Sequence, residues 1–222
     1  MKKLLIFSLL FIFSSLFFSQ TAKEIIGKNI ELSGGLTHWK LLNSVQLQGK
    51  VVLGVNDEYP IKIYQERPNL TKTIIVINKK EIPTAGYDGK QGYGMNYATN
   101  KLEVYKDYLP ESFDNDFIDW ENKGFVAELL GKEKVENVDC FKVELTKNVN
   151  KTIYYFDAQN YRLLKEIKKD ETLQYSDYKK VGNLFFPFRI ESFSPKKDGD
   201  FVMIFNKIEI NKVLPENTFK FK

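Results

Sequence analysis

One histidine and one cysteine are all that this 222-residue chain holds of two residue types that often carry chemistry. A Ser-His-Asp triad or a Cys-His pair needs an imidazole as its base. His38 stands beside Trp39 in a helix-like stretch and reads as a surface or lightly buried residue, and no G-x-S-x-G turn accompanies it. Zinc sites draw on several His and Cys ligands at short spacing, which this composition cannot supply. Cys140 has no partner for an internal disulfide and reads as a small buried hydrophobe at a strand start. No G-x-G-x-x-G or P-loop glycine pattern follows a strand-like segment. Asp114-Asn115-Asp116 with Asp119 resembles half a calcium loop, without its central glycine and distal glutamate. The 29 Asp and Glu leave two-carboxylate hydrolysis open by number alone, because nothing in their spacing selects a pair. The reading that remains is a protein that is not an enzyme and holds no metal or cofactor.

Charge of one sign is also missing. The excess of basic over acidic residues is +4, and falls to +2 without Lys2 and Lys3. No basic run or stripe marks a nucleic-acid surface. The one long apolar run is Leu4 to Phe18, which follows those two lysines and is broken only by Ser8, Ser14 and Ser15. It falls short of the roughly 18–20 residues that a spanning helix needs, so residues 1–20 read as a signal peptide for export. Phe17 or Phe18 falls three residues before a cut after Ser19 or Gln20, which leaves both cleavage and an uncleaved N-terminal anchor open. No cysteine near residue 20 offers a site for a lipid anchor.

Residues 21–222 read as one domain of mainly β (α+β) class. Thr21-Ala22-Lys23-Glu24 is a capping-box pattern, in which the Thr hydroxyl and the Glu carboxylate satisfy free backbone N–H groups. Ala22, Ile26 and Ile30, with Ile25 beside them, then give an amphipathic helix that Gly34-Gly35 stops. A short helical turn is expected around Leu36 to Leu42. Period-two alternation follows, with Val45, Leu47, Val51 and Leu53 on one face. Further strands are expected over Tyr59 to Glu66 and Lys72 to Asn78, then Gly92 to Tyr97 and Lys101 to Val104 after a hairpin turn at Asp88-Gly89. Phe113, Phe117 and Trp120 fall at helical spacing, predicting a second amphipathic helix over Phe113 to Lys123 that ends at Gly124. From Leu129 onward the chain reads as an up-and-down run of strands, the last of them Phe219 to Phe221.

About ten strands interrupted by two helices predict a strongly curved antiparallel sheet, or incomplete β-barrel, with covering helices. Ile74 to Ile77 and Phe201 to Phe205 are apolar on both faces, which a sheet buried on one side would not require. Two explanations fit: helices on one side with loops on the other, or a concave face that lines a lipid-sized cavity.

Three groups of residues resemble the LolA/LolB-like superfamily of periplasmic lipoprotein carriers, and more closely the outer-membrane lipoprotein-sorting proteins of Bacteroidetes. Glu66-Arg67-Pro68-Asn69-Leu70 is similar to the R-P-N motif of LolA, and Tyr87-Asp88-Gly89-Lys90 to the D-G-K hairpin that follows it. The third group is the strand series of the second half: residues 128–135, 140–145, 152–157, 175–190 and 216–221. The resemblance implies an unclosed antiparallel barrel under a helical lid. It also implies a cavity for lipoprotein acyl chains or phospholipid, periplasmic location, and dealings with inner- and outer-membrane lipoprotein transport proteins. It implies, too, that Arg67 latches the lid, since a guanidinium bonds several carbonyls or carboxylates of a lid at once. A solvated strand-end arginine is the alternative for Arg67. The chain departs from the family in the stretch from Asp107 to Lys134, which is longer and more aromatic than a LolA lid, and in lacking the anchoring cysteine of LolB. RseB-type sensors use the same fold, so a sensing or protein-binding module stays open beside a carrier.

For a carrier, Ile25, Ile26, Ile30, Phe113, Phe117 and Trp120 are the expected lid-side contacts with lipid. Val51, Leu53, Ile61, Ile63, Val143, Leu145 and Phe188 are the expected sheet-side contacts. Each also fits ordinary core packing.

Overall fold

The structure, a computed structural model, describes residues 20–54, 57–96, 98–105, 107–110, 112–195 and 199–221. The signal peptide expected over residues 1–20 lies outside them except for Gln20, as does Tyr97. Among the described residues no helix is long and apolar enough to cross a membrane.

Helix α1 (Ala22–Leu32) forms where its capping box predicts. The Glu24 N–H donates to Thr21 Oγ1 at 3.2 Å, and the Thr21 N–H donates to Glu24 Oε2 at 2.8 Å. Two glycines with positive φ, Gly34 and Gly35, end it. Gly34 also lies so close to Asn183 and Leu184 that a Cβ would strike their backbone, which seats the end of α1 on the sheet. The single turn-and-a-half of α2 (Leu36–Lys40) follows at once.

The first half of the sheet comprises β1 (Ser44–Leu53), β2 (Asp57–Glu66), β3 (Leu70–Ile77), β4 (Lys80–Tyr87), β5 (Gly92–Asn96) and β6 (Lys101–Tyr105). The second half comprises β7 (Val126–Val135), β8 (Val138–Lys147), β9 (Asn150–Asp157), β10 (Leu163–Ile167), β11 (Thr172–Val181), β12 (Leu184–Phe193) and β13 (Phe201–Ile210). All pair antiparallel in the order β6-β5-β4-β3-β2-β1-β13-β12-β11-β10-β9-β8-β7. Two meanders are thus joined where β1 meets β13, and β6 and β7 are left as the two ends of an unclosed, curved sheet. The described residues 107–110 and 112–125 fall between these two end strands in the chain.

One strand was not expected, and two expectations need correction. Strand β4 is not signalled by alternation, and its Pro83 argues against a strand, yet it pairs with both β3 and β5. The second helix does not form. Residues 113–124 are a series of turns in which Asp119 takes a left-handed backbone (φ 53°), while Asn115 Oδ1 accepts the N–H groups of Phe117 and Ile118. That side-chain capping competes with the helical ladder. Finally, Phe219 to Phe221 is not a strand. It crosses the convex face of β3 to β5, where Lys72 Nζ donates to Lys220 O at 2.6 Å and Phe221 stacks on Tyr93 at 4.1 Å.

The concave face carries two apolar clusters. In the first, Ile25 and Ile26 of α1 pack with Phe117, Val143, Leu145 and Phe156, with Ile30 and Trp120 at the margin. In the second, Leu42, Val51, Ile61, Phe188 and Phe205 are joined by Trp39, Leu53, Ile63, Ile75 and Phe113. The apolar faces of β3 divide accordingly: Ile75 joins the second cluster, whereas Ile74 is buried on the opposite face, which it shares with Lys72.

Candidate functional site

Arg67 stands in the turn after β2, its N–H held by Asn43 O at 2.9 Å. Its guanidinium reaches three residues in two pieces of chain at once. Nε donates to Leu42 O (2.6 Å) and Nη2 to Trp39 O (3.0 Å), which are carbonyls at the C-terminal end of α2. Nη1 and Nη2 donate to the two carboxylate oxygens of Asp114, each at 2.6 Å. The same guanidinium lies 4.9 Å from the centre of the Phe113 ring, and the Phe113 N–H donates to Pro68 O at 3.1 Å. A planar fork matches a carboxylate in this two-bond manner, and helix-end carbonyls favour a cation. Residues 113–124 are further tied to α1 by Lys23–Glu121 (2.9 Å) and to α2 by Lys40–Asp119 (2.8 Å). Both of these pairs are exposed and contribute little.

Beneath this segment, between the two clusters, lies a cavity of about 510 Å³. Trp39, Phe117, Leu163, Leu173, Phe185 and Pro187 form its apolar walls. Its polar side is built on β9, β10 and β11 by Tyr154, Glu166, Tyr175 and Tyr178, faced by Asp114 and Asp116 from the covering segment. A register shift in β10 between Leu163 and Lys165 is what aims Glu166 inward, opposite Tyr154. Bulges are a common means of re-aiming one side chain.

Each phenol proton has a fixed acceptor. Tyr154 donates to Asp116 Oδ2, Tyr175 to Glu166 Oε2 and Tyr178 to Leu163 O, all at 2.7 Å. Lys168 Nζ completes the surroundings of Glu166 at 3.1 Å from Oε1. Burial pushes all three phenols well above the ordinary tyrosine range, and the Glu166 carboxylate pushes Tyr154 and Tyr175 the same way. At neutral pH they are therefore protonated and serve as hydrogen-bond groups rather than as bases. Such a site is equipped to hold a molecule, with apolar walls and a structured polar end.

Of the thirteen residues expected to touch lipid, Phe117 alone borders the cavity, and the others lie in the two clusters. Ile25, Ile26, Ile30, Phe117, Trp120, Val143 and Leu145 meet in the first cluster. Phe113, Val51, Leu53, Ile61, Ile63 and Phe188 meet in the second. Sequence reasoning passed over Glu166, Tyr154 and Tyr175. The alternation of Tyr154 and Phe156 in β9 offered a signal for the first tyrosine, whereas the inward turn of Glu166 depends on a bulge. The calcium-like group is dispersed: Asp114 serves Arg67, Asp116 serves Tyr154 and Asp119 serves Lys40. Among the described residues no group of three or more His, Cys, Asp or Glu is placed to hold a metal ion. Cys140 is fully buried, and burial raises its thiol pKa.

The fold is similar to that of several solved structures. A LolA superfamily protein from Nitrosomonas europaea superposes with a TM-score of 0.55 at 16% identity, over 91% of this chain and 98% of that one. The fold is that of the LolA superfamily. An outer-membrane lipoprotein-sorting protein domain, so described, from Vibrio parahaemolyticus gives 0.56 at 13% identity, over 89% and 95%. A DUF1329 family protein from Desulfovibrio piger gives 0.57 at 13% identity, over 91% and 98%. No protein-family model and no curated protein matches the chain by sequence. At these identities the LolA likeness is one of fold. In this LolA-type sheet the open side is covered by turns rather than by a second helix.

Proposed function

We propose that this chain is a periplasmic lipid carrier: one LolA-like domain over residues 21–222, exported by a signal peptide over residues 1–20. It holds an acyl chain of a lipoprotein or another lipid in the cavity and passes it toward the outer membrane. It binds and does not catalyse. The observation that carries this reading is the 510 Å³ cavity set between two apolar clusters under a segment that one arginine ties down. The LolA fold, and the description of one similar structure as a lipoprotein-sorting domain, support it.

Arg67 is the latch in this reading. Loading and release require residues 113–124 to move, and the guanidinium joins them to the rim of the sheet and to α2. Each buried CH₂ of a ligand is worth about 0.8 kcal/mol, so release depends on opening this cover rather than on spontaneous escape.

A sensing or protein-binding module on the same fold is the second reading. The open ends of the sheet favour it, since β6 pairs only with β5 and carries exposed Val104 and Tyr105. The uncharged probe N-phenyl-1-naphthylamine separates the two. A carrier takes it up saturably, at one per chain, with a rise in fluorescence that a fatty acid reverses. A chain that leaves the probe dark has no accessible apolar cavity.

A further inference from the structure

The turn between β9 and β10 is pinned to α1. Asp157 Oδ1 accepts the Gln159 N–H at 2.7 Å, and the Arg162 N–H donates to Asn160 Oδ1 at 3.0 Å. The Asn29 side chain of α1 donates to Tyr161 O at 2.7 Å. Arg162 is thereby set beside two rings of the cavity wall, with its guanidinium carbon 5.0 Å from the centre of Phe185 and 5.5 Å from that of Tyr178. Arg162 borders a small recess of about 20 Å³, which shares Asn29, Ser33, Tyr178 and Phe185 with the 510 Å³ cavity. A space of that size takes about one water-sized group.

Arg162 is the unmatched charge of these two linings. Asp114 is held by Arg67, and Glu166 by Lys168 at 3.1 Å. Asp116 accepts the Tyr154 proton and lies in the field of Lys123. Among the described residues the Arg162 guanidinium has neither a carboxylate nor a carbonyl to donate to. The ring contacts engage its charge and use none of its five N–H groups. That charge reaches the cavity wall: burial raises the Tyr178 phenol, and Arg162 opposes the rise.

We infer that Arg162 receives the anionic head of the carried amphiphile, a carboxylate or a phosphate, with one head oxygen in the recess and the chain in the cavity. The inference rests on the lipid-carrier reading and names the head class for that same cavity. Carboxylate and phosphate oxygens match the donor fork of a guanidinium, whereas an ammonium head brings it like charge and no acceptor.

The test displaces bound N-phenyl-1-naphthylamine from the detergent-free chain at neutral pH with amphiphiles sharing one dodecyl chain, each below its micelle concentration. These are dodecanoate, dodecyl phosphate, dodecyltrimethylammonium and, as the uncharged reference, dodecyl glucoside. Both anions are expected to act at about tenfold lower concentration than the cation, the order that a charge-assisted hydrogen bond supplies where some solvent remains. Arg162→Gln is expected to remove that gap, and Arg162→Lys to keep part of it. Acetate and inorganic phosphate, which have no chain, are expected to leave the gap unchanged at the same concentrations. A gap that either of them abolishes marks a site for free anions and overturns the inference. Equal action of anions and cation, preference for the cation, or a gap that survives Arg162→Gln also overturns it and leaves the carrier reading intact. Failure of all four amphiphiles to displace the probe overturns both. Should Arg162→Gln not fold, the Arg162 Nε–H signal of the unmodified chain decides by NMR. Dodecanoate is expected to shift it, and a signal that stays still or moves equally with the glucoside overturns the inference.

Discussion

Arg67 and Asp114 are joined by two parallel hydrogen bonds of 2.6 Å, while the same guanidinium holds two carbonyls at the end of α2. Their side chains are 27% and 20% exposed, so the pair is largely withdrawn from water yet complete in its partners. One residue of the β2–β3 turn thus fixes the start of the covering segment and the second helix together.

Arg67→Leu leaves the Asp114 carboxylate half-buried without its partner and two carbonyls without their donor. The expected loss is about 2 kcal/mol, below the figure for a fully buried pair because both groups keep some solvent. Urea unfolding measures it, and hydrogen exchange locates it: protection should fall first in residues 113–124 and at the end of α2. Arg67→Lys should recover less than half, because an ammonium cannot make the paired bonds and reach both carbonyls.

Phe117 is 4% exposed and packs against the rings of Tyr154 and Phe156, with centroids at 4.8 and 5.2 Å. Phe117→Ala is expected to cost about 3–4 kcal/mol by cavity formation, read from chemical denaturation. Phe117→Leu should cost less than half of that. If both are neutral, residues 113–124 do not rest on the sheet as described.

The buried phenols set an alkaline limit. Tyr154, Tyr175 and Tyr178 are raised in the folded chain, whereas in the unfolded chain they ionise near the ordinary value of about 10. Above that value the unfolded chain has released protons that the folded chain keeps. Their contribution is therefore complete below pH of about 10 and is lost as pH rises beyond it. Denaturant midpoints followed from neutral to alkaline pH should fall there, and Tyr175→Phe should make the fall shallower. A midpoint that is flat across this range would contradict the burial of these groups.

Much of this architecture was readable in the chain. The Thr21–Glu24 box and the Gly34-Gly35 stop define α1, and strict alternation places Phe141, Val143 and Leu145 on the buried face of β8. Three features were not readable, each for a physical reason. Strand β4 has Pro83 and little alternation, so its existence depends on neighbours β3 and β5. The apolar spacing of Phe113, Phe117 and Trp120 matches a helix, but Asn115 and the left-handed Asp119 turn the chain while still burying Phe117. The site itself was the least readable part. Aliphatic residues picked as lipid contacts were placed in the two clusters, and the cavity between them is walled by tyrosines and by a glutamate that a bulge turns inward. Periodicity identifies a buried face but does not show where along that face the packing leaves room.

The most direct test is native mass spectrometry, with lipid extraction, of the chain purified from a periplasmic fraction without detergent. The carrier account predicts a stoichiometric lipid or lipopeptide bound to the folded chain, lost on denaturation. An unliganded mass, together with failure to take up an acyl probe, would contradict it and leave a protein-binding module on the LolA fold.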